Sequence, residues 1–335
     1  MTWLIFACSA AAIVFAGTKL SHYGDQLADL TGLGRLWIGV LLMSAATSLP
    51  EVLTTVSAGW LDRPDLAAGD LFGAGMSNML TLGLIDLLHR QKRVWQQAAL
   101  EHTLTAAFAM ALTGLAAFFV LVKVDVTHLG VGFGSLMLFL LYVLGMRVVF
   151  RQEDMQRRRR EQEAVAAGAA EKREAGLTRG NGLRRAVIGF SAGTLVLLAA
   201  APLLAWSAGR IADETGVTAT FIGTSLVAIT TSLPELVVSI AAVRLGAFDL
   251  AVGNLFGSNA FNMGAFLFAD AAYRNGGLLS SVSSTHALTA LWSILMMNIG
   301  LMGIIYRAEK RFMLIEPDSF LMIVAYVLGL WLLFR

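Results

Sequence analysis

The sequence has 335 residues, of which 57% are hydrophobic and only 14% are charged, a composition too apolar for a soluble domain of this length. The formal net charge of +2, with basic residues clustered between apolar segments, argues against nucleic acid as a partner. The single cysteine, Cys8, excludes an internal disulfide and matches no zinc or thiol-redox spacing. We therefore predict a polytopic membrane protein.

Ten apolar segments are long enough to cross a hydrocarbon core of about 30 Å as helices. The first five lie near residues 2–20, 36–59, 66–88, 98–121 and 127–150. The other five lie near residues 185–208, 219–243, 249–272, 283–306 and 317–334. We interpret the first segment as a membrane helix rather than a signal peptide, because no basic residues precede it and no convincing cleavage site follows it.

The two groups of segments are repeats of each other. A shift of about 184 positions aligns Thr47–Glu51 with Thr231–Glu235 and continues without a gap to Asn78 and Asn262. Roughly two dozen identities in about sixty positions make chance a poor explanation. We therefore divide the chain into a first five-helix repeat, a linker and a second five-helix repeat. Their bounds are 1–150 (motif 36–88), 151–183 and 184–335 (motif 219–272).

Charge asymmetry predicts the orientation. Basic residues are concentrated in the linker and in the connections after the third and ninth segments, so these parts are expected to be cytoplasmic. Ten helices that cross the cytoplasmic membrane then place both termini on its extracytoplasmic side. Because each repeat has an odd number of helices, the second repeat is inverted relative to the first, as in many secondary transporters. The fold class is thus an all-α protein of two inverted five-helix repeats.

A carboxylate and a proline interrupt the second apolar segment at Pro50 and Glu51, and the seventh at Pro234 and Glu235. A charge at membrane depth costs at least a few kcal/mol, so it normally faces a cavity or a partner. Helical spacing places a row of oxygen-bearing side chains on the same face. These residues are Thr47, Ser48, Glu51 and Thr55, and in the second repeat Thr231, Ser232, Glu235 and Ser239. Each proline also lacks the N–H that would bond a preceding carbonyl.

The third helix of each repeat adds small residues and an amide. Gly69 and Gly73, like Gly253 and Gly257, are spaced to let helix backbones approach closely. The amides are Asn78 and Asn262. Two carboxylates, two amides, hydroxyls and freed carbonyls are hard oxygen ligands, which suit Ca²⁺ far better than zinc or copper.

The doubled Thr-Ser-Leu-Pro-Glu phrase and the downstream glycines and asparagines resemble the α-repeats of the cation/calcium antiporter superfamily, nearest the sodium/calcium exchangers. The resemblance covers roughly residues 24–86 and 208–270. It implies alternating access, in which the first and sixth helices slide across a core with four cation sites arranged in a diamond. Glu51 and Glu235 match the central carboxylates. The other matched ligand positions are Thr47, Thr231, Ser48, Ser232, Asn78, Asn262 and Ser258, with Ser44 and Ala228 near the outlying sodium sites.

The first repeat departs from the family pattern. Ala74 stands where the family has a ligand serine, and Asp70 stands where it has an asparagine. Ala46 and Thr230 replace glycines that usually precede the Thr-Ser pair. Our hypothesis is Na⁺/Ca²⁺ exchange, with proton-coupled exchange of Ca²⁺ or another cation as the alternative that Ala74 and Asp70 keep open. Ca²⁺ and Na⁺ are the expected substrate ions, and no cofactor, oligomer or enzymatic activity is required.

Two rival functions are an intramembrane hydrolase with paired carboxylates and a passive channel. Hydrolysis has no need of an inverted copy of five helices, whereas the repeat does not exclude a channel. Other polar residues are predicted to have ordinary roles. Capping or solvated positions are expected for Asp29, Asp86, Asp213 and Asp270, and interfacial or packed positions for His22, His89, His102, His128 and His286.

Overall fold

The computed structural model describes residues 1–88, 100, 102–128, 130–166, 178–215, 231–306 and 317–333. Its helices before the linker are α1 (Thr2–Thr31), α2 (Arg35–Trp37), a π-helical segment (Ile38–Met43), α3 (Ser44–Thr47), α4 (Leu49–Trp60), α5 (Pro64–Leu88), α6 (His102–Val122) and α7 (Phe133–Ala166). The later helices are α8 (Thr178–Thr215), α9 (Leu233–Arg244), α10 (Phe248–Ala272), α11 (Leu278–Ser281), α12 (Thr285–Tyr306) and α13 (Pro317–Leu333).

The helices fall on the predicted apolar segments, with two differences. Segment 127–150 begins with an antiparallel hairpin, β1 (Thr127–His128) and β2 (Val131–Gly132), where we predicted helix. Gly130 turns this hairpin at a φ of 80°, which a glycine adopts without a steric penalty. In addition, α7 and α8 extend into the predicted linker, and only residues 167–177 of it lie outside the described residues.

Among the described residues, six helices are long and apolar enough to span a membrane, or seven if one bent pair counts as a single span. This is fewer than the ten predicted spans. Part of the seventh segment, 219–230, lies outside the described residues, and α13 offers only a short apolar helix, Asp318–Leu333. The asparagines of α10 lower the hydropathy of that helix, so it is not among the helices apolar enough to be counted as spans. Ala228 and the basic residues after the third and ninth segments also lie outside the description.

Helix α10 is the centre of the bundle, because it is buried over most of its length and contacts helices from both halves of the chain. Its backbone approaches the π-helical segment closely. A Cβ added to Gly257 would lie 2.5 Å from the carbonyl oxygen of Val40, and one added to Gly39 would lie 2.7 Å from that of Leu250. The predicted role of the glycines of α10 in close packing is therefore confirmed.

Helices α1 and α8 pack against each other in antiparallel directions. The hydroxyl of Thr2 donates to Oε1 of Glu214 at 3.1 Å near one end of the pair, and Gly182 lies beside Leu30 near the other. Gly32 ends α1 with a φ of 72°, the left-handed conformation usual for a helix C-cap.

Two buried aspartates hold the third helix of one half against the fifth helix of the other. Oδ2 of Asp270 accepts a hydrogen bond from Ser135 Oγ at 2.5 Å, and Oδ2 of Asp86 accepts one from Ser319 Oγ at 2.6 Å. Both aspartates are at most 5% exposed. The predicted capping or solvated role is therefore wrong for these two residues. The solvated role of Asp29 is confirmed, since its side chain is 66% exposed beside Arg35.

Candidate functional site

The membrane helix that carries Glu51 is broken at Ser48. The backbone of Ser48 has φ −86° and ψ 1°, and the segments Arg35–Thr47 and Leu49–Trp60 meet at an angle of 44°. Ser232 has nearly the same dihedral angles, φ −82° and ψ 6°, immediately before α9. In both cases proline is the second residue of the new helix, so the structure confirms the predicted disturbance.

The two breaks place each glutamate beside the serine of the opposite half. Ser48 Oγ donates to Oε1 of Glu235 at 3.1 Å, and Ser232 Oγ approaches Oε1 of Glu51 at 3.5 Å. Glu51 is 1% exposed and Glu235 is fully buried. The four residues thus form a reciprocal pair of contacts at the centre of the molecule.

The threonines form a second reciprocal pair one position earlier in the chain. Thr47 Oγ1 lies 3.2 Å from Oδ1 of Asn254, and Thr231 Oγ1 donates to Oδ1 of Asp70 at 3.3 Å. Asn254 and Asp70 occupy equivalent positions in α10 and α5, so the same geometry carries an amide on one side and a carboxylate on the other. Asn254 also donates from Nδ2 to Ser239 Oγ at 3.2 Å.

The remaining predicted residues lie on α5 and α10. Asn78 donates from Nδ2 to Oδ1 of Asn259 at 2.8 Å, which joins the two helices. Ser258 is fully buried near the carboxylate of Glu235, although its hydroxyl makes no hydrogen bond to it. Asn262 is fully buried. All nine predicted ligand residues are therefore buried on the helices that meet at the two breaks. Ser44 is buried too, but its hydroxyl bonds to the carbonyl of Val40 at 2.5 Å.

Several buried oxygen atoms of this cluster have no hydrogen-bond donor. These atoms are Glu51 Oε2, Glu235 Oε2, Asp70 Oδ2, Asn78 Oδ1, Asn262 Oδ1 and Ser258 Oγ. Within the described residues, no lysine, arginine or histidine forms an ion pair with either glutamate. A buried carboxylate without a partner is costly, and a bound cation would offset that cost.

An ion at this site would depend on neutral oxygens as well as carboxylates. Across the described parts of the chain, no group of three or more His, Cys, Asp or Glu side chains is close enough to hold a metal ion. The two glutamates would supply the charge, while hydroxyl and amide oxygens would complete the coordination. Such a mixed set of oxygen ligands is typical of Ca²⁺ and poor for softer metals.

Glu51 and Glu235 are buried, with at most 1% of either residue exposed. A cavity of about 510 Å³ lies elsewhere, between α1 and α8, and is lined by residues that include Lys19, Tyr23 and Arg185. It does not reach the glutamates.

The sequence analysis did not predict the contacts of four residues around the site. Asn254 and Asn259 contact predicted ligands, as described above. His102 and His286 are separated by the offset of the repeat, and each pairs with an aspartate at the start of the opposite third helix. The pairs are His102 with Asp249 at 3.1 Å and His286 with Asp65 at 3.5 Å. The signal was present in the sequence, because both histidines lie in the first turn of similar apolar helices at equivalent positions.

Comparisons with known proteins show the family to which the chain belongs. The family model described as sodium/calcium exchanger protein matches residues 1–150 and 185–335. The chain is 29% identical over 251 residues to the inner membrane protein YrbG of Escherichia coli, covering 75% of this chain and 73% of YrbG. It is 26% identical over 259 residues to the putative antiporter CaxA of Alkalimonas amylolytica, covering 76% and 75% of the two chains.

Solved structures of the sodium-calcium exchanger NCX_Mj have a similar fold. One of them, from a crystal soaked with Na⁺ and Sr²⁺, has a TM-score of 0.71 at 20% sequence identity and covers 99% of both chains. Another, soaked with Na⁺ without Ca²⁺, has a TM-score of 0.72 at 18% identity. At these identities the likeness concerns the fold.

Proposed function

Because the chain belongs to the sodium/calcium exchanger protein family, we propose that it exchanges Ca²⁺ for Na⁺ across the membrane at the site between the two helix breaks. Membership of this family makes the chain a transporter of the cation antiporter class rather than an enzyme. The hydrolase alternative is therefore excluded.

One observation carries the proposal. Glu51 and Glu235 are buried, accept hydrogen bonds from serines of opposite halves, and keep one carboxylate oxygen each without a donor. Two negative charges in this setting would neutralise one Ca²⁺ or two Na⁺. Competition for the same carboxylates makes binding of the two ions mutually exclusive, which is what exchange requires.

Neutral oxygens would complete the coordination. Three serines lie at the carboxylates: Ser48, Ser232 and Ser258. Thr47 and Thr231 immediately precede the two helix breaks. Asn78 and Asn262 each keep a buried oxygen without a donor. We assign these seven residues, with the two glutamates, as ligands of the transported ions.

We further propose ten membrane helices in two inverted five-helix repeats, with both termini outside the cytoplasmic membrane. Equivalent contacts at the offset of the repeat support this organisation, because the serine–glutamate, aspartate–serine and histidine–aspartate pairs all occur twice. Alternating access would follow from movement of α1 and α8 across the core. Those two helices pack mainly on each other, so they can move together.

A proton-coupled cation antiporter is the second candidate. It is favoured by Asp70, a buried carboxylate next to the site that an exchanger built only on two glutamates does not need. The two candidates differ in which gradient drives Ca²⁺ uptake.

The test is ⁴⁵Ca²⁺ uptake into proteoliposomes loaded with Na⁺, compared with K⁺-loaded vesicles and with an imposed pH gradient. We expect uptake to require internal Na⁺ and to vanish in Glu51→Gln, because the variant removes one of the two central charges. Glu214→Gln is the matched control, since Glu214 is exposed at the end of α8 and should leave uptake unchanged. Uptake that follows the pH gradient and ignores Na⁺ would favour the second candidate, and rapid flux without a counter-ion would indicate a channel.

A further inference from the structure

Asp70 is a buried carboxylate that the two-glutamate site leaves unexplained. Its side chain is 4% exposed, Oδ1 accepts the hydrogen bond from Thr231, and Oδ2 has no donor. It is close enough to Glu51 and Glu235 for the carboxylates to repel one another. A buried carboxylate without a compensating charge is expensive at membrane depth, so a role in binding a cation is the simplest reason to keep it.

The equivalent positions in the second half carry different chemical groups. There, Asn254 replaces Asp70, and Ser258 stands four residues later near the carboxylate of Glu235. In the first half the corresponding residue is Ala74, which has no hydroxyl for Glu51. The second half therefore offers an amide and a hydroxyl, whereas the first half offers a carboxylate and a methyl group.

We propose that Asp70 is a Na⁺ ligand, and that the cation site on the Glu51 side of the cluster is built around Asp70 rather than around a serine. This inference rests on the proposed exchange of Na⁺ for Ca²⁺. Two buried oxygens without donors, Asp70 Oδ2 and Glu51 Oε2, together with the hydroxyl oxygen of Thr231, supply the ligands. Carboxylate and hydroxyl oxygens are hard ligands of the kind that Na⁺ and Ca²⁺ accept.

The asymmetry has a measurable consequence for Na⁺. A site that contains a carboxylate loses most of its affinity for a monovalent cation when that group becomes an amide, because the compensating negative charge is gone. Restoring a hydroxyl at position 74 would recreate the Asn and Ser combination of the second half. Asp70→Asn should therefore lose one Na⁺ site, and the double variant Asp70→Asn with Ala74→Ser should regain it.

The experiment counts ²²Na⁺ bound per chain in the purified full-length protein, with the Na⁺-dependent rise in melting temperature as a second readout. We expect Asp70→Asn to bind one Na⁺ fewer than the wild type, with an apparent Na⁺ affinity at that site reduced at least about tenfold. The double variant should return toward the wild-type count. Asp62→Asn is the matched control, because Asp62 is exposed and its φ of 57° is tolerated by asparagine.

An unchanged Na⁺ count in Asp70→Asn would overturn the inference. It would show that Asp70 is not needed to bind any of the Na⁺ ions. Failure of the double variant to regain the ion, while folded by its melting curve, would also overturn the substitution of Asp70 for the serine. Absence of Ca²⁺ exchange in the wild type would overturn the proposed function instead, since Na⁺ binding is counted without transport.

Discussion

Nε2 of the fully buried His102 lies 3.1 Å from Oδ1 of Asp249. The ring packs beside Gly253, one turn further along α10, where a Cβ would come within 3.3 Å of the imidazole. His286 repeats this arrangement with Asp65 at 3.5 Å and with Gly69 as the neighbouring glycine. Each pair joins the start of a fourth helix to the start of the third helix of the opposite half.

We expect His102→Ala to lower the stability of the protein more than His286→Ala. The first substitution leaves a void at a fully buried side chain and removes its hydrogen bond to the partly exposed Asp249, a loss of about 2–4 kcal/mol. The side chain of His286 is 21% exposed and its pairing distance is longer, so its loss should be smaller. Thermal melting of the purified variants in one detergent checks the order. Equal shifts in the two variants would contradict this account.

Ser48→Ala should weaken Ca²⁺ transport by raising the concentration needed for half-maximal uptake. The variant removes the hydroxyl that donates to Glu235 at 3.1 Å, and a hydrogen bond to a charged group contributes about 1.5–3 kcal/mol, or roughly tenfold or more in affinity. Ser57→Ala is the matched control, because the Ser57 hydroxyl bonds to the carbonyl of Leu53 on the exposed side of the same membrane helix. Identical half-maximal concentrations for Ser48→Ala and wild type would refute the assignment.

Gly257→Ala should disrupt the protein although it adds a single methyl group. The new Cβ would lie 2.5 Å from the carbonyl oxygen of Val40 and 2.7 Å from its Cα, so two backbones would have to separate. Gly114→Ala adds the same group to helix α6, where the nearest atom is Ile294 Cδ1 at 3.7 Å. We expect a lower yield of folded protein and lost transport for the first variant, and wild-type behaviour for the second. Size-exclusion profiles and uptake assays distinguish the two.

Pro50→Ala should separate stability from transport. Alanine restores an N–H that can bond the carbonyl of Ala46, so the helix can continue through Ser48 without the 44° bend. The melting temperature is then expected to stay the same or rise, while Ca²⁺ uptake falls because Ser48 and Glu51 leave their positions. A variant that transports normally would show that the break has no functional role.

The sequence predicted the helices and the composition of the site, but not its pairings. Pro50 and Pro234 marked both helix breaks, and the three- and four-residue spacing brought Thr47, Ser48 and Glu51 to one face. Spacing along one helix does not say which residue lies opposite it. The contact of Ser48 with Glu235 therefore required the structure, as did the contact of Asn78 with Asn259.

Other differences arose from signals that local patterns do not contain. The hairpin at 127–132 lies in an apolar stretch that reads as the beginning of a helix, and its turn depends on one glycine conformation. Asp86 and Asp270 occur near helix ends, where solvent exposure is common. Both are nevertheless buried, and each accepts a hydrogen bond from a serine that is distant in the sequence. The paired histidines are a different case, because the offset of the repeat could have identified them.

The hydrogen bonds at the core of the cluster have a consequence for how the protein is made. Ser48 with Glu235, Thr47 with Asn254 and Asn78 with Asn259 each join a residue synthesised before the linker to one synthesised after it. While the ribosome is still translating the second half, Glu51 and its neighbours sit in the bilayer without their partners. The site therefore comes into existence only at the end of synthesis, and a product that stops at the linker would present unsatisfied polar groups to the cell's quality control.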